Sequence, residues 1–245
     1  VVSPRIALSY KPSQSWIYRF SYGHGFRVPS FLETLIDWEH IQFGYIVKGN
    51  PNLKPETSKG FTLGGEYTNK TNFQLSALIY YNNSSNLIDD YALESGVLSY
   101  RNIEKAYFTG LELITKWTIN NTSSCQLILN YIDNKDGDKK TIPNTIPLSI
   151  SSKVSYSPIH QRYLFNMSLK GIGSYWPQEY EPSTGEYNSV NKKIAAYLLA
   201  NMNIVINISP DFHLKIGVKN VGNHKNLSYG PYIGRNGYIE INRKI

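Results

Sequence analysis

Residues 23–56, GHGFRVPSFLETLIDWEHIQFGYIVKGNPNLKPE, decide how the rest of the chain is read. Before them, Trp16 to Phe26 alternates large apolar with small or polar residues, the period-two signature of a strand with two different faces. After them, Phe61, Leu63 and Tyr67 resume the alternation against Thr62, Gly64 and Glu66. The connection between is about thirty residues, where a hairpin usually takes roughly two to five. Trp38, Phe43 and Tyr45 make it too apolar for a solvated tether. Pro29, Pro51 and Pro55 restrict the backbone at both ends. The stretch therefore reads as a built, functional loop, and the remainder as its scaffold.

Working outward, the same two-faced pattern recurs along the chain. Phe73, Leu75, Ala77, Ile79 and Tyr81 oppose Gln74, Ser76, Tyr80 and Asn82; Leu111, Leu113, Trp117 and Ile119 oppose Gly110, Glu112, Lys116 and Thr118. Further strands are expected around Cys125–Tyr131, Ile150–Tyr156, Phe165–Leu169, Leu198–Ile208, Phe212–Val218 and Ile239–Ile245, with a weaker first one at Ser3–Tyr10. Short turns (Lys11–Ser15, Asn69–Thr71, Asn120–Ser123, Ser157–Gln161, Ser209–Asp211) take turns with long links (Arg27–Thr57, Tyr91–Gly96, Asp133–Thr145, Trp176–Lys192, Val221–Arg235). Such sorting is a property of outer-membrane barrels, which have tight turns on the periplasmic side and longer loops outside. A soluble sandwich has no reason for it.

Composition agrees. Only 18% of the 245 residues are charged, against about 25% in an ordinary soluble domain. Tyr is abundant, with 20 against 9 Phe, which suits a wall greasy on one side and wet on the other. No run approaches the roughly 20 apolar residues of a spanning helix. Cys125 is the single cysteine, so an internal disulfide and a cysteine-rich metal site are excluded. The net charge of +7 comes from scattered Lys and Arg with no nucleic-acid motif, so nucleic acid is not an expected partner.

The expected fold is all-β, a transmembrane antiparallel up-and-down β-barrel with about eleven strands present. An odd number sets the two termini on opposite sides, whereas single-chain bacterial barrels have even numbers. Open edges are not tolerated in lipid. Either a strand is miscounted or a partner segment completes the wall.

Gly25-Phe26-Arg27-Val28-Pro29-Ser30, Glu33-Thr34-Leu35 and Gly49-Asn50-Pro51-Asn52-Leu53-Lys54-Pro55-Glu56-Thr57 together resemble the signature of TonB-dependent outer-membrane receptors. Tyr80-Tyr81-Asn82, Tyr100-Arg101-Asn102-Ile103-Glu104-Lys105-Ala106, Gly110-Leu111-Glu112, Asn130-Tyr131, Val218-Lys219-Asn220-Val221-Gly222-Asn223 and Gly234-Arg235-Asn236 follow in the family's order. The resemblance spans residues 1–245. It implies the C-terminal half of a 22-stranded barrel, with the plug domain and N-terminal barrel strands outside this chain. It also implies a Gram-negative outer-membrane location and active uptake of a scarce metal chelate (siderophore-iron, haem or cobalamin). The energy would come from the TonB complex acting through the plug. One departure is the ending Asn242-Arg243-Lys244-Ile245, where the family has an aromatic residue read by the assembly machinery.

By the same resemblance Arg27, Pro29, Glu33, Asn50, Pro51, Asn52 and Glu56 anchor the loop to the wall, while Trp38, His40, Phe43 and Tyr45 are the candidates for touching ligand. In haem receptors of the family a histidine in the corresponding loop is an axial ligand to iron, a role the resemblance leaves open to His40, although Trp38-Glu39-His40-Ile41-Gln42-Phe43-Gly44 departs from the haem-type loop. No other metal ligand and no cofactor is assigned. Trp176, Tyr180 and Tyr187 form either a second contact patch or part of an aromatic girdle, and Asp133, Asp136 and Asp138 a polar tip rather than a calcium loop. The competing readings are a stand-alone small barrel serving as passive pore or adhesin, and a barrel enzyme. None of His24, His40, His160, His213 and His224 has a Ser or Asp at triad-like spacing, which disfavours the enzyme.

Overall fold

The computed structural model describes residues 2–42, 44–69, 71–94, 96–158, 162–181, 186–190 and 192–243. Phe43, His160, Lys244 and Ile245 lie outside the described residues. In chain order the elements are β1 (Arg5–Tyr10), β2 (Trp16–Arg27), α1 (Phe31–Leu35), β3 (Asp37–His40), β4 (Tyr45–Lys48), β5 (Glu56–Thr68), β6 (Phe73–Glu94) and β7 (Val97–Asn120). Then come β8 (Ser123–Asp136), β9 (Leu148–Tyr156), β10 (Tyr163–Ile172), β11 (Gln178–Glu181), β12 (Glu186–Ser189), β13 (Tyr197–Ser209), β14 (Phe212–Lys219) and β15 (Asn236–Arg243).

Eleven of these strands form one antiparallel meander, β1-β2-β5-β6-β7-β8-β9-β10-β13-β14-β15, each paired with the next. Among the described residues no helix is long and apolar enough to cross a membrane. Register explains why alternation was legible. Leu8, Phe20, Leu63, Ile79, Leu111, Tyr131 and Leu148 face one another across seven consecutive strands. Because the side-chain period is two, one row in register puts every parallel row on the same face. That face is open: Leu63 is 53% exposed, Ile79 48% and Leu198 55%. Among the described residues only Leu53, Val97, Ala106, Ile172 and Ile194 are buried hydrophobics, so no dry core lies between two sheets. The apolar face meets acyl chains.

The height fits as well. Trp16 to Phe26 on β2 covers about 33 Å of strand, which at a tilt near 45° is close to the roughly 25 Å apolar band of such barrels. Rings gather at the short-turn end, where Trp16 lies 5.6 Å from Tyr18 and 4.8 Å from Tyr67. A second group follows near the long-loop end, with Phe61 5.7 Å from Tyr81. The inward face is polar. Asn166 bridges its neighbours, accepting from the Ser155 hydroxyl at 2.7 Å and donating to Asn203 Oδ1 at 3.0 Å. At two lumenal positions a tyrosine lies over a cross-strand glycine. A Cβ on Gly110 would sit 2.4 Å from the Tyr80 ring, and one on Gly217 2.6 Å from Tyr238.

Three expectations are corrected. Tyr91–Gly96 is not a long link. β6 and β7 run 22 and 24 residues and stay paired up to Glu94 opposite Val97, forming a tall hairpin with a tight tip. Above the membrane neither face touches lipid, so the hydrophobic alternation stops while the backbone ladder continues. For the same reason β8 extends to Asp136, and the link placed at Asp133–Thr145 begins only at Gly137. The first strand starts at Arg5 rather than Ser3.

Among the described residues β1 pairs only with β2, and β15 only with β14. Both outer edges of the sheet carry unpaired backbone groups.

Candidate functional site

The loop after β2 is organised by one guanidinium. Arg27 is the outermost paired residue of β2, opposite Glu56 at the start of β5. Its Nε and Nη2 donate to the two Glu56 carboxylate oxygens at 2.9 and 2.6 Å. Nη1 donates to both oxygens of Glu33 at 2.9 Å. Glu56 Oε1 also accepts from the Ile88 amide at 2.8 Å, which ties the clamp to the base of the tall hairpin. Planar, bidentate pairing of this kind is what a guanidinium provides and an ammonium does not. Both carboxylates are largely shielded, at 16% and 15% side-chain exposure, while Arg27 keeps 45%.

Glu33 does a second job. It is the third residue of the short helix α1, capped by Ser30: the Ser30 hydroxyl accepts from the Glu33 amide at 3.2 Å, and Glu33 Oε2 accepts from the Ser30 amide at 2.7 Å. This reciprocal box needs Ser and Glu three apart, which SFLE supplies. Removal from water, the largest single influence, pushes the Glu33 carboxyl upward. The Ser30 amide, the Ser30 hydroxyl and Arg27 together outweigh it and hold Glu33 below the usual glutamate range.

The far end of the loop is sewn down by amides. Asn50 donates its backbone N–H to the Glu33 carbonyl at 2.8 Å and its side-chain amide to the Tyr100 carbonyl at 2.9 Å. Its side-chain oxygen accepts from the Asn52 amide at 2.9 Å, forming the turn that Pro51 occupies. Asn102 on β7 accepts from the Lys54 amide at 2.8 Å and donates to the Lys54 and Asn86 carbonyls. Gly49 passes so close to α1 that a Cβ there would stand 2.6 Å from the Leu35 nitrogen. Pro29 stands directly before the Ser30 cap. Arg27, Glu33 and Glu56 thus meet in one cluster, and Asn50 and Asn52 share a second with residues of β7.

Between these anchors the loop raises a hairpin of β3 and β4. Its tip needs a left-handed residue, which Gly44 supplies at φ 69°. β4 then joins β7 in parallel, Ile46 to Lys48 against Val97 to Ser99, with the Ile46 amide donating to the Gly96 carbonyl at 2.8 Å. β7 rises beyond the end of β8, and β4 covers the edge left open there. The hairpin brings three of the candidate ligand contacts together. Trp38 lies edge-on to His40 at 4.7 Å and to Tyr45 at 6.4 Å, and His40 is 5.3 Å from Tyr45. Trp38 is 47% exposed and the neighbouring Ile41 82%. Phe43 lies outside the described residues.

Of the other candidates, Asp133 is bridged by Lys135 at 3.1 Å and Asp138 by Lys140 at 3.6 Å. No group of three or more His, Cys, Asp or Glu is disposed to hold a metal among the described residues. Trp176 is exposed in the link before β11; the side chains of Tyr180 and Tyr187 lie outside the described residues. Sequence reasoning missed Ser30, Ile88 and the full role of Asn102. The Ser30 signal was available as a capping box. The other two depend on contacts between distant strands, which no local pattern announces.

A single antiparallel wall with one apolar face open, carrying a clamped, aromatic outer loop, defines the class: the wall of an outer-membrane β-barrel. The family model "TonB dependent receptor-like, beta-barrel" matches residues 1–221, and the chain belongs to that family. It is 23% identical to the iron-regulated outer membrane virulence protein of Vibrio cholerae, over 99% of this chain and 38% of that protein. It is 27% identical to hemoglobin-haptoglobin utilization protein B of Neisseria meningitidis, over 82% of this chain and 29% of that protein. Among solved structures it resembles the ferric enterobactin receptor of Pseudomonas aeruginosa (TM-score 0.79, 17% identity, 98% of this chain and 40% of that one). The siderophore receptor PirA of Acinetobacter baumannii is similar in fold (TM-score 0.77, 16% identity, 98% and 40%). The chain therefore spans about two fifths or less of the proteins it matches, and its location is the outer membrane.

Proposed function

We propose that this chain is barrel wall and outer loops of a receptor that actively imports a scarce metal chelate across the outer membrane. TonB energises the import through a plug domain that lies in another part of the protein. The chain would be the C-terminal half of a 22-stranded barrel, the other strands pairing with β1 and β15. The observation that carries this reading is the clamped loop. Arg27, Glu33 and Glu56 fix its base, and the hairpin above presents Trp38, His40 and Tyr45 outward on a rigid support. Rigid aromatics give large contact area at low entropic cost, which suits capture from dilute solution. Relatives named for siderophore, haem and hemoglobin utilisation support an iron source as cargo.

The test is chelate binding and uptake by cells carrying the whole receptor. Trp38→Ala and Tyr45→Ala are expected to weaken ligand binding about tenfold or more, in line with loss of a buried aromatic contact. Wild-type affinity in both variants would remove the hairpin from the ligand site. Haem is the cargo for which His40 has a specific role, as axial ligand to the iron. Haem titration of the whole receptor with His40→Ala separates the cases: an unchanged Soret band excludes His40 as ligand.

A further inference from the structure

The lipid-facing side of the wall is not uniform. Trp117, Cys125, Val154, Met167, Met202 and Val218 face one another in one outward row from β7 to β14. The next outward row toward the short turns runs Tyr156, Phe165, Ile204 and Ile216. Over β9, β10, β13 and β14 the surface between these rows sinks into a groove of about 510 Å³, which opens away from the lumen. The chain has two methionines, and they stand opposite each other in this groove. Methionine is unbranched and polarizable, so it yields to an irregular partner where Val or Ile holds one shape. The Tyr156 and Phe165 rings stack at 6.4 Å and flank the groove on the short-turn side.

From the groove, β14 leads down to a cation. Met167 and Met202 lie mid-strand on β10 and β13, which sets their row near the middle of the apolar band. Val218 belongs to that row, and Phe212 lies on the same face at the short-turn end of β14, opposite Arg243 of β15. The strand from Val218 to Phe212 is about 20 Å long, or roughly 14 Å of depth at a 45° tilt, close to half of an apolar band about 25 Å tall. Arg243 therefore stands where one leaflet's chains end and its headgroups begin, and the short turns make that leaflet the periplasmic one. Ile239 and Ile241 lead to it along the same face, 70% and 64% exposed. A guanidinium on the lipid-facing parity reaches the interface along its own aliphatic stem and meets a phosphate there bidentately.

We propose that this groove binds one glycerophospholipid of the periplasmic leaflet, with an acyl chain along Met167, Met202 and Ile216 and the phosphate against Arg243. Three observations agree on this occupant. The groove lies on the face that meets acyl chains, the depth from the methionine row to Arg243 is that of one leaflet, and the charge at its end is opposite to a phosphate's. A chain seated here gives the sunken side chains the contacts that a gap would forfeit. The site rests on the outward face meeting lipid and not on which ligand the outer loop captures.

The experiment is photolabelling of the full-length receptor in dodecyl maltoside, using phosphatidylglycerol with a diazirine in one acyl chain and mapping adducts by peptide mass spectrometry. Wild type is expected to be labelled saturably on residues 163–172 and 197–209, about tenfold above residues 73–81 of β6, with unlabelled phosphatidylglycerol competing. M202W fills the groove and is expected to lose labelling severalfold, while I79W, in an outward row of β6, stays near wild type. R243Q is expected to weaken labelling severalfold and R243K to keep most of it. Even labelling along the wall overturns the proposal, as does unchanged labelling in M202W. Equal labelling by a diacylglycerol bearing the same diazirine overturns the phosphate contact and with it the choice of a phospholipid. Heat-modifiable gel mobility checks assembly. If M202W does not assemble, R243Q decides, and wild-type labelling in it overturns the proposal. A receptor that imports normally yet is labelled evenly sinks this site and leaves the transport reading standing.

Discussion

Arg27 shows how one side chain sets the geometry of a loop about thirty residues long. It contributes four hydrogen bonds to two carboxylates that sit on different elements. Hydrogen bonds to charged groups contribute about 1.5–3 kcal/mol each when shielded, but Arg27 is nearly half exposed, so solvent screening reduces the sum. Arg27→Ala is expected to lower the free energy of opening the loop by about 1–3 kcal/mol, read as faster amide exchange in residues 30–55 with unchanged barrel melting. Unaltered protection in that segment would contradict the clamp. Glu33 adds a pH dependence. Its folded-state value lies below the unfolded one, so its contribution is complete above roughly pH 4.3 and is lost as pH falls through the folded value. With every other tryptophan of the receptor replaced by Phe, Trp16, Trp117 and Trp176 among them, the fluorescence of Trp38 should report a loop transition below that pH, absent in Glu33→Gln. Tyr229 is a second loop residue with a shifted group. The hydroxyl bonds to Glu179, which pushes its ionisation up to about 12, so it stays protonated at any physiological pH.

At the scale of elements, the parallel contact of β4 with β7 is the join that makes the hairpin part of the wall. Ile46→Pro removes the bond to the Gly96 carbonyl and cannot restore it. Limited proteolysis is expected to cut between residues 37 and 48 in this variant and not in wild type, while heat-modifiable mobility stays the same; equal resistance would mean the join is not needed. This join also marks where sequence reading stopped. The lipid-crossing strands were legible because Leu63, Ile79 and Leu111 alternate with Gly64, Tyr80 and Gly110, a local signal with a fixed period. Arg27, Glu33 and Glu56 stood out through resemblance, but their meeting at one point depends on α1 folding back beneath the hairpin. The tip of the β6–β7 hairpin, Tyr91–Gly96, reads in the sequence as a long link because Asn83, Ser84 and Asn102 below it carry no hydrophobic period. Parallel pairing of Ile46 with Val97, across fifty residues of chain, has no local signature at all.

For the molecule as a whole, one face of an eleven-strand wall meets lipid and the other meets water. Everything proposed about loop, groove and transport inherits that orientation, and so does the need for strands beside β1 and β15. Cys125 offers a native probe, since it lies in the outward row with Trp117, Val154 and Met167. Its neighbour Gln126 lies in the lumenal row. The decisive measurement is maleimide labelling of the protein in outer membranes, using a charged, membrane-impermeant reagent and an apolar one. With Cys125→Ser as background, cysteines placed one at a time from Ser124 to Asn130 are expected to alternate. Positions 124, 126, 128 and 130 should react with the charged reagent, and 127 and 129 only with the apolar one, as native Cys125 does. Uniform reactivity along the segment, or protection of both parities from both reagents as in a dry two-sheet core, would contradict the account.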